Sequence, residues 1–259
     1  MRARFFGYGA VAALVLVTAA SATSPSPWRP NMRGAIGYAS HRRGTIAFAV
    51  RTRTRSWGWH ANETFPSASV LKAILLVAYL DMPSVRNRPL RASDRALLRP
   101  MIRQSDNDAA TVVLHIVGSA RVYGVASRAH MRRFRLVIRP WGFTQITAAD
   151  QTRYFLRIDR LIVPRHRAYG MNLLRTITPV QRWGIARVRP RGWRLYFKGG
   201  WGSGTGLVDH QVALLTRGND RVSVAILTLH DEKHTYGRQT LRGIALRLLR
   251  GLDSAQAVP

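Results

Sequence analysis

The stretch Phe65-Pro-Ser-Ala-Ser-Val-Leu-Lys72, running on into Ala73-Ile-Leu-Leu-Val-Ala-Tyr-Leu80, constrains the fold more than any other part of the chain. A segment of helical length that is apolar on every side reads as a buried helix, with the rest of the protein laid around it. Ser69 and Lys72 stand three residues apart at its start and so share one face of the first turn. Helix starts carry unpaired N–H groups and the positive end of the dipole, which favour an oxyanion. An amine beside a hydroxyl removes its proton once burial has lowered the amine's pKa. The pattern therefore reads as a nucleophilic serine with a lysine base. The plain alternative is a buried helix with a capping serine and a lysine reaching for solvent.

The choice of cation separates the two readings. Of 41 Lys and Arg residues only Lys72, Lys198 and Lys233 are lysine. Arginine is used wherever a positive charge suffices, and arginine cannot act as a base. Lysine at position 72 is thus an exception to the chain's own habit.

The bulk properties bound the class. A length of 259 residues with 46% hydrophobic content suits one globular unit with a sizeable core. Residues 1–22 are expected to be an export signal: Arg2 and Arg4 precede an apolar run and the small-residue site Ala20-Ser21-Ala22. An uncleaved anchor is the alternative, although the run is short for a span. With no cysteine there is neither a disulfide nor a lipid-attachment thiol. The expected location is secreted, in the cell wall or the periplasmic space. A formal net charge of +29 points to association with anionic polymer such as cell-wall material. The arginines are spread along the chain without interleaved stacking aromatics, which argues against nucleic acid as a partner.

Along the chain, residues 23–30 read as an extended linker, residues 31–252 as one catalytic domain and 253–259 as a tail. Asn31–Ser40 is an expected helix, with strands at Thr45–Arg51 and Ser56–His60. A Pro- and Arg-rich loop, Asp81–Ala92, follows the apolar helix. Ser93–Arg103, Asp106–Val117 and Ser119–Ala129 read as successive helices. Thr147 with Asp150 looks like a capping box opening a helix to Leu161, and Pro164–Ile177 is a further helix. Arg194–Lys198, Gln211–Thr216 and Arg221–Leu229 read as strands, and Tyr236–Leu249 as an amphipathic closing helix. The expected fold is α/β of the α+β type. One antiparallel sheet from both chain ends is flanked by helices, and an all-helical lobe, about residues 81–190, is inserted between them.

Two further motifs join Ser69-x-x-Lys72. Ser105-Asp106-Asn107 lies at a break between helices, and Lys198-Gly199-Gly200 ends a strand. In order and rough spacing this trio resembles the S-x-x-K, S-D-N and K-T-G set of class A β-lactamases and penicillin-binding proteins. From about Asn31 to Leu252 the chain resembles the class A β-lactamase-like serine hydrolases. The resemblance implies an acyl-enzyme on Ser69 formed from a β-lactam or D-alanyl-type amide. Lys72 would serve as its base and Ser105 as the relay to the leaving nitrogen. Asn107 would hold the substrate amide, and Lys198 would supply an ammonium for a substrate carboxylate. The backbone N–H groups of Ser69 and Trp201 would form the oxyanion hole, with Gly199 and Gly200 lining the strand. Asp106 is expected to cap its helix. No cofactor or metal is implied, and a monomer is expected.

Two departures qualify the resemblance. Gly199 removes the hydroxyl that the third motif usually carries, with Ser203 or Thr205 as the candidates to replace it. The only glutamates are Glu63 and Glu232, so no glutamate lies between Asn107 and Lys198 to activate a deacylating water. The segment Arg139–Gln145 stands where such a loop would begin, without a carboxylate. Deacylation is accordingly expected to be slow. The rival readings are a non-catalytic or weakly active wall binder, a D,D-peptidase or esterase, a metal site at His230 and His234, and a Ser-His-Asp triad near Ser203. His210, beside Asp209, is expected to be structural or to orient polar groups near the site.

Overall fold

The computed structural model describes Ala3, residues 27–230 and residues 232–255. The expected export signal, apart from Ala3, the first part of the linker and the last residues of the tail lie outside the described residues. In chain order the strands are β1 (Thr45–Arg51), β2 (Ser56–Trp59), β3 (Phe65–Pro66), β4 (Gln145–Ile146), β5 (Arg194–Gly202), β6 (Val208–Arg217) and β7 (Asp220–Leu229). The helices are α1 (Met32–Ala39), α2 (Leu71–Leu80), α3 (Pro83–Arg86), α4 (Ala92–Arg103), α5 (Asn107–Arg128), α6 (Ala148–Leu161), α7 (Pro164–Arg175) and α8 (His234–Leu248). A single 3-10 turn, Ala68–Val70, leads into α2.

Five strands form one antiparallel sheet in the order β2-β1-β7-β6-β5, so the two ends of the chain meet at the β1–β7 pair. That pair runs from Thr45 opposite Leu229 to Arg51 opposite Ser223. The β-branched and aromatic residues of β1 and β7 place Ile46–Val50 and Val222–Leu227 in the core. A two-residue turn at Gly218-Asn219 joins β6 to β7. Helices α1 and α8 cover one face, and α6 and α7 cover the other. Trp28 docks there too, buried with its indole N–H on Arg250 O, so the end of the expected linker belongs to the core.

Every residue of α2 is buried, packed among α4, α5 and α7. A helix apolar all round has no solvent face to present, and this one lies at the centre of the helical side. Its far end is tied down by Asp94, which accepts from Tyr79 Oη at 2.8 Å, Arg88 at 2.6 Å and the Arg91 amide at 2.6 Å. Hydrogen bonding from Arg88 holds the Asp94 carboxyl down to about 2.

Several local expectations change. The loop Asp81–Ala92 contains the short helix α3, started by Pro83 at its first position. α5 runs on through Gly118, but that residue has φ 69° and ψ 165° and breaks it into the two helices read from the sequence. Thr147 caps α6 by accepting from Asp150 N, yet Asp150 does not return the bond as a capping box would. Its carboxylate accepts instead from the amides of Arg132 and Arg133. β5 extends to Gly202, well past Lys198, and β3 pairs with β4 in a small second sheet that pattern alone did not reveal.

Candidate active site

Ser69 sits in the 3-10 turn ahead of α2, and Lys72 in the first turn of α2 itself. Ala68, just before the serine, has φ 40°, a left-handed conformation that costs an alanine on the order of 1–3 kcal/mol. Three contacts hold this turn in place. The Ser67 amide donates to Thr144 O at 2.7 Å, β3 pairs with β4, and His210 Nε2 donates to Pro66 O at 2.8 Å. His210 Nδ1 accepts from the Thr228 amide at 3.1 Å, so its ring is a neutral strut between the sheet and the strand leading to Ser69. Both ring nitrogens are committed to backbone, so His210 is not available as the base of a triad at Ser203.

Burial pushes the His210 imidazole down to about 4. The unfolded chain, with histidine near 6.5, therefore binds a proton that the folded chain refuses. Stability present above pH 6.5 is expected to fall by up to roughly 3 kcal/mol as the pH drops toward 4. Denaturant midpoints at pH 7 and pH 4.5 check this, because the His210→Gln protein should lack that part of the acid loss.

The second motif lies on the turn between α4 and α5. Asp106 caps α5 as expected, accepting from Ala109 N at 2.7 Å. Ser105 has φ 62°, which aims its carbonyl at the Lys72 amine, and the two are hydrogen-bonded. Lys72 Nζ also donates to Asn107 Oδ1 at 2.7 Å and to Ser105 Oγ at 3.2 Å. From β5, Lys198 Nζ reaches the same Ser105 Oγ at 3.0 Å. One hydroxyl thus bridges two amines that lie far apart in the sequence. The structure brings together Lys72, Ser105, Asn107 and Lys198, with Ser69 one helical turn ahead of Lys72. Among the described residues Ser69 Oγ makes no hydrogen bond.

Both lysines are fully buried. Burial brings the Lys72 amine down to about 7, against a smaller upward pull from Asp106. Lys198 is pushed well below 10.5 by burial, with the Lys72 charge adding to the effect. Desolvation disfavours its charged form in the free pocket, and a bound anion would favour it. Because Asp106 favours the protonated Lys72, Asp106→Asn should move the amine below about 7 while keeping a capping side chain. The pH midpoint of Ser69 acylation should then shift downward, and an unmoved or raised midpoint would contradict the assignment.

β5 runs against the Ser69 turn at Gly200. A Cβ there would stand 2.9 Å from Ser67 O, 3.0 Å from Val70 N and 3.1 Å from Ser69 N, so only glycine permits the approach. Trp201 follows directly, beside the turn. At Gly199 the space beyond the backbone is taken by the Trp183 indole, 3.2 Å from a built Cβ, and Trp183 meets Trp201 edge-on at 6.1 Å. The missing hydroxyl of the third motif is thus matched by an aromatic ring.

Ser69 opens into a pocket of about 290 Å³ lined by Asn107, Trp141, Gly142, Trp201 and Thr205, among others. Thr205 is in this wall and Ser203 is not, which separates the two proposed substitutes for the lost hydroxyl. Among the described residues no carboxylate lines the pocket. Where the Arg139–Gln145 loop passes, Trp141 covers the site instead. Lys72 Nζ lies 5.1 Å from its ring centroid, and its indole N–H donates to Thr111 at 3.1 Å. Trp141 and Trp183 were missed by sequence reasoning, which had no local signal for rings delivered by distant loops. At the metal candidate, His230 directly follows β7 with φ 62° while His234 begins α8, so the pair do not share a helix. His234 faces Asp209 at 3.0 Å.

Comparison with known proteins shows the family and the fold. The beta-lactamase enzyme family model matches residues 82–252, and the chain belongs to that family. The match begins beyond Ser69 and Lys72, so the nucleophile end rests on the geometry above. Among solved structures, a beta-lactamase from Sphaerobacter thermophilus superposes with a TM-score of 0.72 at 20% identity, covering 85% of this chain and 97% of that one. A beta lactamase from Xanthomonas campestris pv. campestris gives 0.73 at 15% identity, over 86% and 97%. An ancestral class A beta-lactamase gives 0.71 at 15%, over 85% and 99%. These likenesses establish the class A β-lactamase fold. No curated protein matches the sequence.

Proposed function

We infer that the protein is an exported serine acyl hydrolase or transferase that forms an acyl-enzyme on Ser69 with a β-lactam or D-alanyl-type amide and releases it slowly. The observation that carries the reading is the Ser105 hydroxyl held between two buried amines, with Lys72 brought down to about 7 one turn from Ser69. In the first step Ser69 Oγ attacks the carbonyl carbon and its proton passes to the neutral Lys72 amine. The carbonyl oxygen gathers charge against the N–H groups of Ser69 and Trp201. As the C–N bond breaks, Ser105 gives its proton to the leaving nitrogen and is reprotonated from the lysine side. Lys198, charged once an anionic substrate is present, holds the substrate carboxylate, and Asn107 offers its side-chain NH2 to the substrate amide.

The second step is the weak one. Release of the acyl group needs a water or an amine stripped of its proton, and the pocket wall offers Trp141 in place of a carboxylate. Loss of a general base costs about 10²–10⁴-fold, so the ester on Ser69 should persist. Incubation with a fluorescent penicillin, followed by intact-mass measurement and peptide mapping, tests the reading. One adduct on the peptide carrying Ser69, decaying far more slowly than it forms, is expected. Absence of any adduct would refute acylation, and decay as fast as formation would refute slow release. Its +29 charge further suits retention at an anionic wall after export.

A further inference from the structure

Away from Ser69, the end of β1 with its following turn, the loop after α5 and the outer side of α6 enclose a second pocket of about 180 Å³. Arg51, Thr52, Arg53, His130, Arg153 and Arg157 line it. It shares no lining residue with the Ser69 pocket. Arg51 and Arg153 are half-buried and form the floor, while Arg53 and Arg157 are exposed at the rim. The nearby carboxylate is Asp150, and it is already committed. Its oxygens accept from the amides of Arg132 and Arg133 at 2.9 and 2.8 Å and from the Arg153 guanidinium at 2.7 Å. Among the described residues, Arg51, Arg53 and Arg157 form no ion pair.

Arg51 carries the clearest sign of an unmet demand. Its Nε is closed off from solvent and has no hydrogen-bond partner among the described residues. Burial lowers its pKa, the charges of Arg153, Arg157 and Arg132 lower it further, and Asp150 offsets only part of this. A buried donor without an acceptor and a cluster of arginines that outnumbers its one nearby carboxylate are both costly. One tetrahedral oxyanion would relieve both, because guanidinium forks match its oxygens in pairs. At about 30 Å³ per water the space equals about six waters, enough for such a group with its substituent leaving past the rim.

We propose that this arginine pocket binds a phosphate group, presented either as the free ion or as the phosphodiester of an anionic lipid headgroup. The test is calorimetric titration of the full protein with inorganic phosphate against chloride of matched ionic strength. Flotation with phosphatidylcholine vesicles, with and without phosphatidylglycerol, runs beside it. Wild type should bind phosphate more tightly than chloride. Arg51→Gln should bind it about tenfold more weakly or worse, as should the double rim variant Arg53→Gln/Arg157→Gln. Circular dichroism reports folding, and the rim variant keeps the test open if Arg51→Gln misfolds. Phosphatidylglycerol-dependent flotation that both variants lose, without uptake of free phosphate, would assign the site to the headgroup. Variants that match wild type in both assays, or a wild type that prefers neither phosphate nor phosphatidylglycerol, would overturn the proposal.

Discussion

Replacing Lys72 with arginine should slow acylation of Ser69 by about 10²–10⁴-fold, as much as replacing it with alanine. The comparison separates two roles that one side chain could play. If Lys72 served as a positive charge, arginine would keep that charge and much of the rate. If it serves as a base, the guanidinium fails because it does not give up its proton at accessible pH. The geometry favours the base. Lys72 is fully buried, is brought down to about 7 by that burial, and among the described residues has no carboxylate hydrogen-bonded to its amine. The wild-type rate should therefore climb between about pH 6 and pH 8 as the amine loses its proton, and level off above. Stopped-flow acylation across that range reads both effects. Wild-type labelling by Lys72→Arg would remove Lys72 from the proton path.

Gly200→Ala should cost about 10²-fold or more in acylation while the protein stays folded. The added methyl would press on Ser67 O, Val70 N and Ser69 N, all backbone atoms at 2.9–3.1 Å that have no rotamer to yield. Either β5 or the serine turn has to move by a few tenths of an ångström. That shift separates the Ser69 and Trp201 amides assigned to the developing oxyanion, and loss of one such donor typically costs about 10²–10³-fold. The overpacking penalty itself is about 1–3 kcal/mol. Gly199→Ala is the matched control. Its methyl meets the Trp183 ring at 3.2 Å, a side chain that can tilt away, so the rate should fall far less. Equal rates for wild type and Gly200→Ala would mean that the strand and the turn do not jointly hold the oxyanion.

What could be read from residues alone was whatever local chemistry determines. Thr45–Arg51 announced a strand through its β-branched and aromatic content, and the apolar run after Lys72 announced a buried helix. The division of α5 was legible because Gly118 separates two helical patterns. Lys72, Ser105, Asn107 and Lys198 could be named together because their motifs keep a recognisable order. Features decided by distant packing were not legible. β5 continues through Gly199, Gly200 and Gly202 against strand propensity, because the Ser69 turn needs backbone at close range there. Asp150 fitted a capping box by spacing, but the amides of Arg132 and Arg133 compete for its oxygens and win. Trp141 reaches Lys72 only after the loop before β4 has folded back over α5. The complete burial of Lys198 was hidden for the same reason, since nothing in its neighbours along the chain reveals it.

The scarcity of lysine has a practical side. Lys72 and Lys198 are sealed inside the protein, and Lys233, exposed ahead of α8, is the remaining ε-amine. A succinimidyl ester applied to the folded Ser69→Ala protein, which lacks the serine assigned to take up acyl groups, should therefore modify Lys233 and the amino terminus and stop there. Any further uptake would count molecules whose interior has come open, so a simple dye stoichiometry becomes a gauge of breathing at the site.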